Sequence, residues 1–245
     1  HTDRLKLQNM DSAESNSLTP VHAVLFDLDG TLLDTADDLV NALDALLASV
    51  GRPPADRQIA RSQVSQGSVA LTRLGFPEVL DADEFERLRL QFLDHYNAAI
   101  CIDTAAYAGI ETILEWIEAA GIPWGIVTNK PGFLTAQVLA HLGLDQRAAC
   151  VVSGDTLPRR KPHPDPLLLA CQQIQRQPQH CLYVGDDPRD IHAGNAAGMY
   201  TAVAAYGYVD PQMDVNTWGA DFIVDQPLAI QQIVSLSTRI PKVED

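Results

Sequence analysis

Asp27 and Asp29, separated by one residue and followed by Gly30 and Thr31, stand at the end of an apolar run that begins at Val21. A buried strand ending this way can aim both carboxylates at one centre. Gly30 permits the sharp turn, and the backbone amide of Leu28 then faces the same point. Three more polar groups follow downstream: Thr128-Asn129-Lys130, Lys161 before Pro162, and the run Gly185-Asp186-Asp187-Pro188-Arg189-Asp190. A hydroxyl and backbone amides near Thr128 and Asn129 could hold a phosphate oxygen, and a lysine fixed by a following proline is a permanent cation. Clustering Asp186 beside Asp27 and Asp29 is costly unless a cation neutralises them, and hard oxygen donors select Mg²⁺ over a softer metal. The chemistry indicated is handling of a phosphoryl group.

Each group also has an ordinary use. Asp and Gly are common in strand-end turns, a Thr-Asn pair often makes one, and Asp187 and Asp190 suit a helix N-terminus. Arg159 and Arg160 read as a solvated charge run. His163, between two prolines, reads as a loop residue without a catalytic role. What favours chemistry is position, since all four groups follow apolar strands and so share the carboxyl edge of one sheet, where ligands bind in open α/β folds.

The elements that must position them alternate short apolar runs with longer helical patterns, the signature of a parallel sheet under helices. Strands are expected at Val21 to Phe26, Trp124 to Thr128, Cys150 to Ser153, Cys181 to Gly185, Thr201 to Ala205 and Phe222 to Val224. Their apolar character on both faces predicts helices on each side. Helices are expected at Ile110 to Ala120, Phe133 to Leu142, Pro164 to Ile174, Asp190 to Ala197 and Leu228 to Leu236, each near Gly or Pro punctuation. Between the first two strands, Leu39, Val40, Leu43, Leu46, Leu47 and Val50 recur at helical spacing, as do Phe85, Leu88, Phe92, Leu93 and Tyr96. That stretch is too long for a simple crossover, so residues 36–104 are expected to form a helical cap inserted into a core of residues 20–35 and 105–245. Within it, Gln66-Gly67-Ser68 is a candidate substrate-facing loop, with a plain turn as the alternative.

Composition bounds the function. The 245 residues, 46% of them hydrophobic and 20% charged, suffice for a large core, and a formal net charge of −15 excludes nucleic acid or an anionic membrane as a partner bound through a basic surface. No apolar stretch reaches the ~18 residues that span a bilayer. The four cysteines show no metal-binding spacing and read as buried thiols in a reducing compartment, which leads to the expectation of a soluble cytoplasmic protein. Residues 1–19 read as a disordered or artificially added tail, with Met10 a candidate native start.

Taken together, the four groups resemble the motifs of the haloacid dehalogenase superfamily, over nearly all of residues 21–238. The resemblance implies that Asp27 is the nucleophile and that Asp29 protonates the leaving oxygen and later activates water. It implies further that Thr128 and Lys161 bind the transferring phosphoryl group. Mg²⁺ would be held by Asp27, the backbone carbonyl of Asp29, and Asp186. Asp190 would orient the metal's water shell, with Asp187 a helper, and Leu28, Asn129, Gly67 and Ser68 would contact substrate. Dehalogenases of this fold lack the second aspartate, so Asp29 points to a phosphatase. The cap's position is similar to that of the phosphoglycolate phosphatase-like branch. Val127-Thr128-Asn129-Lys130-Pro131 resembles bacterial phosphoglycolate phosphatases, whereas Ala205-Tyr206-Gly207-Tyr208 and Trp218-Gly219-Ala220-Asp221 are similar to bacterial phosphatases of N-acetylmuramic acid 6-phosphate. The expectation is hydrolysis of a small phosphorylated metabolite, with these two as candidate substrates. A sugar phosphomutase, or a silent phosphate-binding regulator of the same fold, is the alternative. Oligomeric state is not legible.

Overall fold

The computed structural model describes residues 6–7, 19–79 and 81–238. In chain order its elements are β1 (Lys6–Leu7), β2 (Ala23–Phe26), β3 (Leu33–Asp34), α1 (Ala36–Ser49), α2 (Arg57–Ser62), α3 (Gly67–Gly75), α4 (Ala82–Ala98), β4 (Ala105–Ala106) and α5 (Ile110–Ala119). They continue as β5 (Trp124–Val127), α6 (Gly132–Leu142), β6 (Cys150–Val152), α7 (Asp165–Gln173), β7 (Cys181–Gly185), α8 (Pro188–Ala197), β8 (Tyr200–Ala204), β9 (Phe222–Val224) and α9 (Ala229–Thr238). The main sheet has the order β1-β9-β8-β7-β2-β5-β6 and is parallel apart from β1, which lies antiparallel to β9.

Strand β2 shows why both faces are covered. Its four side chains are all buried, and the pleat sends Val24 and Phe26 to one face and Ala23 and Leu25 to the other. The first face packs on Ile113 and Ile117 of α5 and Ile230 and Ile233 of α9; the second packs on Leu167 and Cys171 of α7 and Ala193 of α8. This is the doubly covered parallel sheet that the apolar strands imply. The expected strands and helices appear within about two residues at each end. Helix α8 starts earlier than expected because Pro188 occupies its first position, where a missing N–H costs nothing.

Helices α1 to α4 lie between β3 and β4 and share their own apolar cluster, with Leu43, Leu46, Leu71, Phe92 and Tyr96 at its centre. Asp56 caps α2 by accepting from Gln58 N and Ile59 N, and Asp81 caps α4 by accepting from Glu84 N. The chain enters and leaves this cluster through β3 and β4, which pair antiparallel as Leu33 with Ala106 and Asp34 with Ala105. That ribbon has no periodic signal in the sequence, since two residues are too few to show one.

Two expectations are corrected. Lys6–Leu7, placed in a disordered or added tail, pairs with Phe222 and Ile223 as an edge strand, while Met10 and most of residues 1–18 lie outside the described residues. Gln66-Gly67-Ser68 is not a loop: Gln66 ends a 3₁₀ turn from Val64, and Gly67 and Ser68 begin α3. Among the described residues no helix is long and apolar enough to cross a membrane.

Phe92 is fully buried at the centre of the α1–α4 cluster. Phe92→Ala is therefore expected to cost ~3–5 kcal/mol. Thermal or urea unfolding measures it, and a loss under ~1 kcal/mol would mean that these helices are not packed as described.

Candidate active site

The sheet order places β7, β2 and β5 side by side in parallel, so their carboxyl ends open at one edge. Asp27 follows β2, Thr128 follows β5, and Asp186 follows β7, with Asp190 in the first turn of α8. The carboxylates of Asp27, Asp186 and Asp190 offer oxygens that all lie within 4.8 Å of one another, and all three residues are buried. The loops come this close because they carry glycine. A Cβ at Gly30 would stand 2.1 Å from Asp186 Oδ2, and one at Gly207 would stand 2.2 Å from the Gly30 carbonyl oxygen.

Lys161 enters this cluster from the loop before α7. Its Nζ donates to Asp190 Oδ1 at 2.7 Å and Asp27 Oδ1 at 2.9 Å, and lies 3.0 Å from the Val127 carbonyl and 2.8 Å from Tyr183 Oη. Burial works against the ammonium, but Asp190 and Asp27 outweigh it and hold its pKa above the ordinary lysine value. Asp27 is pushed up to about 7, by burial first, with Lys161 pulling it down and Asp190 and Asp29 adding to the rise. Asp186 is raised well above the ordinary carboxylate value, by burial and then by Asp27 and Asp190. One ammonium against three buried carboxylates leaves a surplus of negative charge. Oxygen donors only, crowded and short of compensation, are the donor set of a hard divalent cation.

Several expected residues meet here in a different relation from the one anticipated. The Leu28 amide donates to Asp27 Oδ1 at 2.7 Å, and its side chain is buried in the core, so here this amide orients the aspartate. Asn129 likewise spends its side chain on Lys161: Nδ2 donates to the Lys161 carbonyl at 3.0 Å and Oδ1 accepts from Lys161 N at 3.1 Å. It fixes the loop that delivers the lysine. Asp190 takes Lys161 on Oδ1 and the Asp187 amide on Oδ2, the latter at 3.1 Å. Asp29 does not join the carboxylate trio; its Oδ1 accepts from Lys130 Nζ at 2.9 Å and Thr35 Oγ1 at 2.7 Å. Thr128 is buried at the edge, its Oγ1 accepting from Lys130 N at 3.1 Å. Gly67 and Ser68 line the same cavity as Asp27 and Lys161. His163 sits exposed in a turn, Arg159 pairs with Asp165, and Arg160 is exposed at the cavity wall.

Sequence reading missed four participants. Lys130 stands directly after Thr128-Asn129 and was visible as a cation there, but its partner Asp29 is 101 residues away. Tyr183, inside β7, bridges Val127 O at 2.9 Å and Asp190 Oδ1 at 3.1 Å, and no spacing rule distinguishes it from another buried aromatic residue. Ser65 Oγ donates to Asp186 Oδ2 at 2.6 Å, and Arg189 Nη2 donates to the Ser65 carbonyl at 2.7 Å.

Comparison with known proteins now decides the family. The model of the family described as haloacid dehalogenase-like hydrolase matches residues 24–204. The chain belongs to the haloacid dehalogenase-like hydrolases. An N-acetylmuramic acid 6-phosphate phosphatase of Pseudomonas putida is 41% identical over 214 residues, covering 87% of this chain and 96% of the relative. A phosphoglycolate phosphatase of Xylella fastidiosa is 47% identical over 204 residues, covering 83% and 89%. Among solved structures, a predicted phosphoglycolate phosphatase from Haemophilus somnus superposes with a TM-score of 0.79 at 28% identity, over 89% of this chain and 99% of that one. Within the haloacid dehalogenase-like hydrolases, this chain is a phosphoric monoester hydrolase.

The raised carboxylates give a pH signature. Asp27 and Asp186 hold protons in the folded chain above their ordinary value of 3.8, so their contribution to stability is full below about pH 4. It is lost as pH rises, through about 7 for Asp27. A divalent cation competes with those protons, so at ~100 times its Kd it is expected to raise Tm by ~5–10 °C at pH 8 and by less at pH 5. Thermal melts with and without the cation check this, and an equal rise at both pH values would contradict the carboxylate site.

Proposed function

We propose that this phosphatase is Mg²⁺-dependent and hydrolyses N-acetylmuramic acid 6-phosphate through an aspartyl-phosphate on Asp27, with residues 36–104 acting as a cap over the site. The observation that carries the substrate is the cavity between the core carboxylates and helices α3 and α4, of about 680 Å³. Sites for drug-sized ligands run ~300–1,000 Å³, which suits a phosphorylated amino sugar with N-acetyl and lactyl substituents and far exceeds a two-carbon acid. Val69 and Leu93 supply apolar wall, while Ser68 Oγ and Arg89 Nη1, 3.2 Å apart, supply polar groups away from the carboxylates.

In this mechanism an Asp27 oxygen attacks phosphorus while the bond to the sugar oxygen breaks, and Asp29 gives that oxygen its proton. Water then loses a proton to Asp29 and attacks the same phosphorus, breaking the bond to Asp27 and releasing inorganic phosphate. Both contacts of Asp29 fall on Oδ1, so Oδ2 is the oxygen suited to proton transfer. Lys161, already on Asp27, is placed to stabilise the charge on the transferring group, and Thr128 stands at the same edge. Asp27 and Asp186 would hold Mg²⁺, with Asp190 beside them. When bound, the ion supplies the positive charge that brings an anionic phosphate to three carboxylates. Helices α1 to α4 would exclude water from the acyl phosphate.

A second reading, 2-phosphoglycolate as substrate, draws on the 47% identity with the Xylella fastidiosa relative. Phosphate release from the two compounds, side by side in Mg²⁺, separates them. The expected kcat/KM favours N-acetylmuramic acid 6-phosphate by roughly 10–100-fold; a preference for 2-phosphoglycolate would overturn the substrate. Asp27→Asn is expected to lower kcat by about 10⁴-fold or more without lowering Tm, because it removes a buried charge and keeps the shape. Turnover by that variant would sink Asp27 as nucleophile.

A further inference from the structure

Ser65 belongs to the helical insertion, yet its polar groups are held by the core. Its hydroxyl donates to Asp186 Oδ2 at 2.6 Å, and its carbonyl accepts from Arg189 Nη2 at 2.7 Å. Arg189 is itself fixed by a two-point ion pair with Asp187, Nε to Oδ1 at 2.8 Å and Nη2 to Oδ2 at 3.0 Å. Asp187 in turn caps α8 by accepting from Arg189 N at 2.9 Å. A direct hydrogen bond and a relay through Arg189 and Asp187 thus tie one residue of the insertion to the loop that carries Asp186. All of these groups except Asp186 line the cavity. Elsewhere the insertion meets the core through Leu134 and Tyr208 in its apolar cluster, through Lys130 over the Tyr96 ring at 4.5 Å and through Gln137 Nε2 donating to Asn97 Oδ1 at 2.7 Å, while the chain itself passes through the two-residue strands β3 and β4, a connection short enough to serve as a hinge.

We propose that Ser65 and Arg189 form the clasp that holds the insertion closed over the catalytic carboxylates, so that both are positioning residues for turnover. This rests on residues 36–104 acting as a cap. The Arg189 guanidinium binds a backbone carbonyl, a group present whatever the side chain, while the Ser65 hydroxyl reads one particular carboxylate. Together they favour the closed arrangement before substrate arrives. The apparent affinity for substrate falls by the fraction of molecules that leave that arrangement.

The test uses the full chain with saturating Mg²⁺ and N-acetylmuramic acid 6-phosphate, comparing Ser65→Ala and Arg189→Lys with the parent. Losing one charge-assisted hydrogen bond is expected to raise KM roughly tenfold and to leave kcat within about twofold. Ser65→Thr, which keeps the hydroxyl, retains the parent KM. Hydrogen–deuterium exchange without substrate gives the second readout, with faster exchange over residues 63–70 in the Ala and Lys variants and unchanged exchange in β2 and β7. Unchanged KM and exchange, or a fall in kcat at constant KM, would overturn the clasp. If the parent releases no phosphate from this compound, the proposed substrate fails, while the exchange comparison still decides the clasp.

Discussion

One buried ammonium among three buried carboxylates is the constraint from which the rest of this site follows. Lys161 touches Asp27 and Asp190 directly, but Asp186 receives neutral donors, the Ser65 hydroxyl, the Tyr208 amide at 2.9 Å and, at 3.5 Å, the Thr31 hydroxyl. Removing such charges from water costs several kcal/mol each unless opposite charge compensates them. The fold therefore holds this cluster in a strained electrostatic state that protons, or a cation, relieve. The same surplus that would be a defect in a structural core makes this trio a group that could hold a divalent cation.

Holding the cluster requires backbone that side chains would obstruct. Gly185 ends β7 where a Cβ would meet Asp190 Cβ at 2.4 Å, and Gly30 and Gly207 clear the space around Asp186. The lysine is held just as closely, since Asn129 grips both backbone polar groups of Lys161 while Tyr183 contacts its head. Burial and the neighbouring Asp190 and Asp27 charges raise the Tyr183 hydroxyl pKa, so it stays protonated as a donor. Rigid placement of this kind is what phosphoryl transfer demands, because positioning and charge stabilisation do nearly all the work.

How much of this the sequence discloses depends on distance along the chain. Asp27, Thr128 and Asp186 are legible because each follows a strand whose four or five residues are apolar throughout, and a parallel sheet brings such ends together by construction. The partners within the site are less so. Leu28 and Asn129 are expected at substrate, and the contacts they make, to Asp27 and to the Lys161 backbone, are not legible because residue type does not say which hydrogen bond forms. Ser65 and Asp186 are 121 residues apart, and a serine in a helical stretch carries no mark of its partner. The β3–β4 ribbon is equally silent, at two residues a side, although the insertion hangs from it.

Tyr208 shows how the two halves of the molecule share one network. Its amide donates to Asp186, and its hydroxyl donates to Asp34 Oδ1 at 2.8 Å while accepting from Thr35 N at 2.6 Å and Ala36 N at 2.9 Å. Those last two amides open helix α1, where chain from the sheet enters the insertion, and Arg61 of α2 both pairs with Asp34 and stacks over the Tyr208 ring at 5.2 Å. A single residue, through its amide and its hydroxyl, thus ties the carboxylate beside Asp27 to the base of the insertion, and Ser65 ties the same carboxylate to the insertion beyond it. Movement of α1 to α4 therefore cannot leave Asp186 untouched, and a charge bound at Asp186 cannot leave those helices untouched. The position of those helices and the charge balance at Asp186 are therefore linked through the same hydrogen bonds.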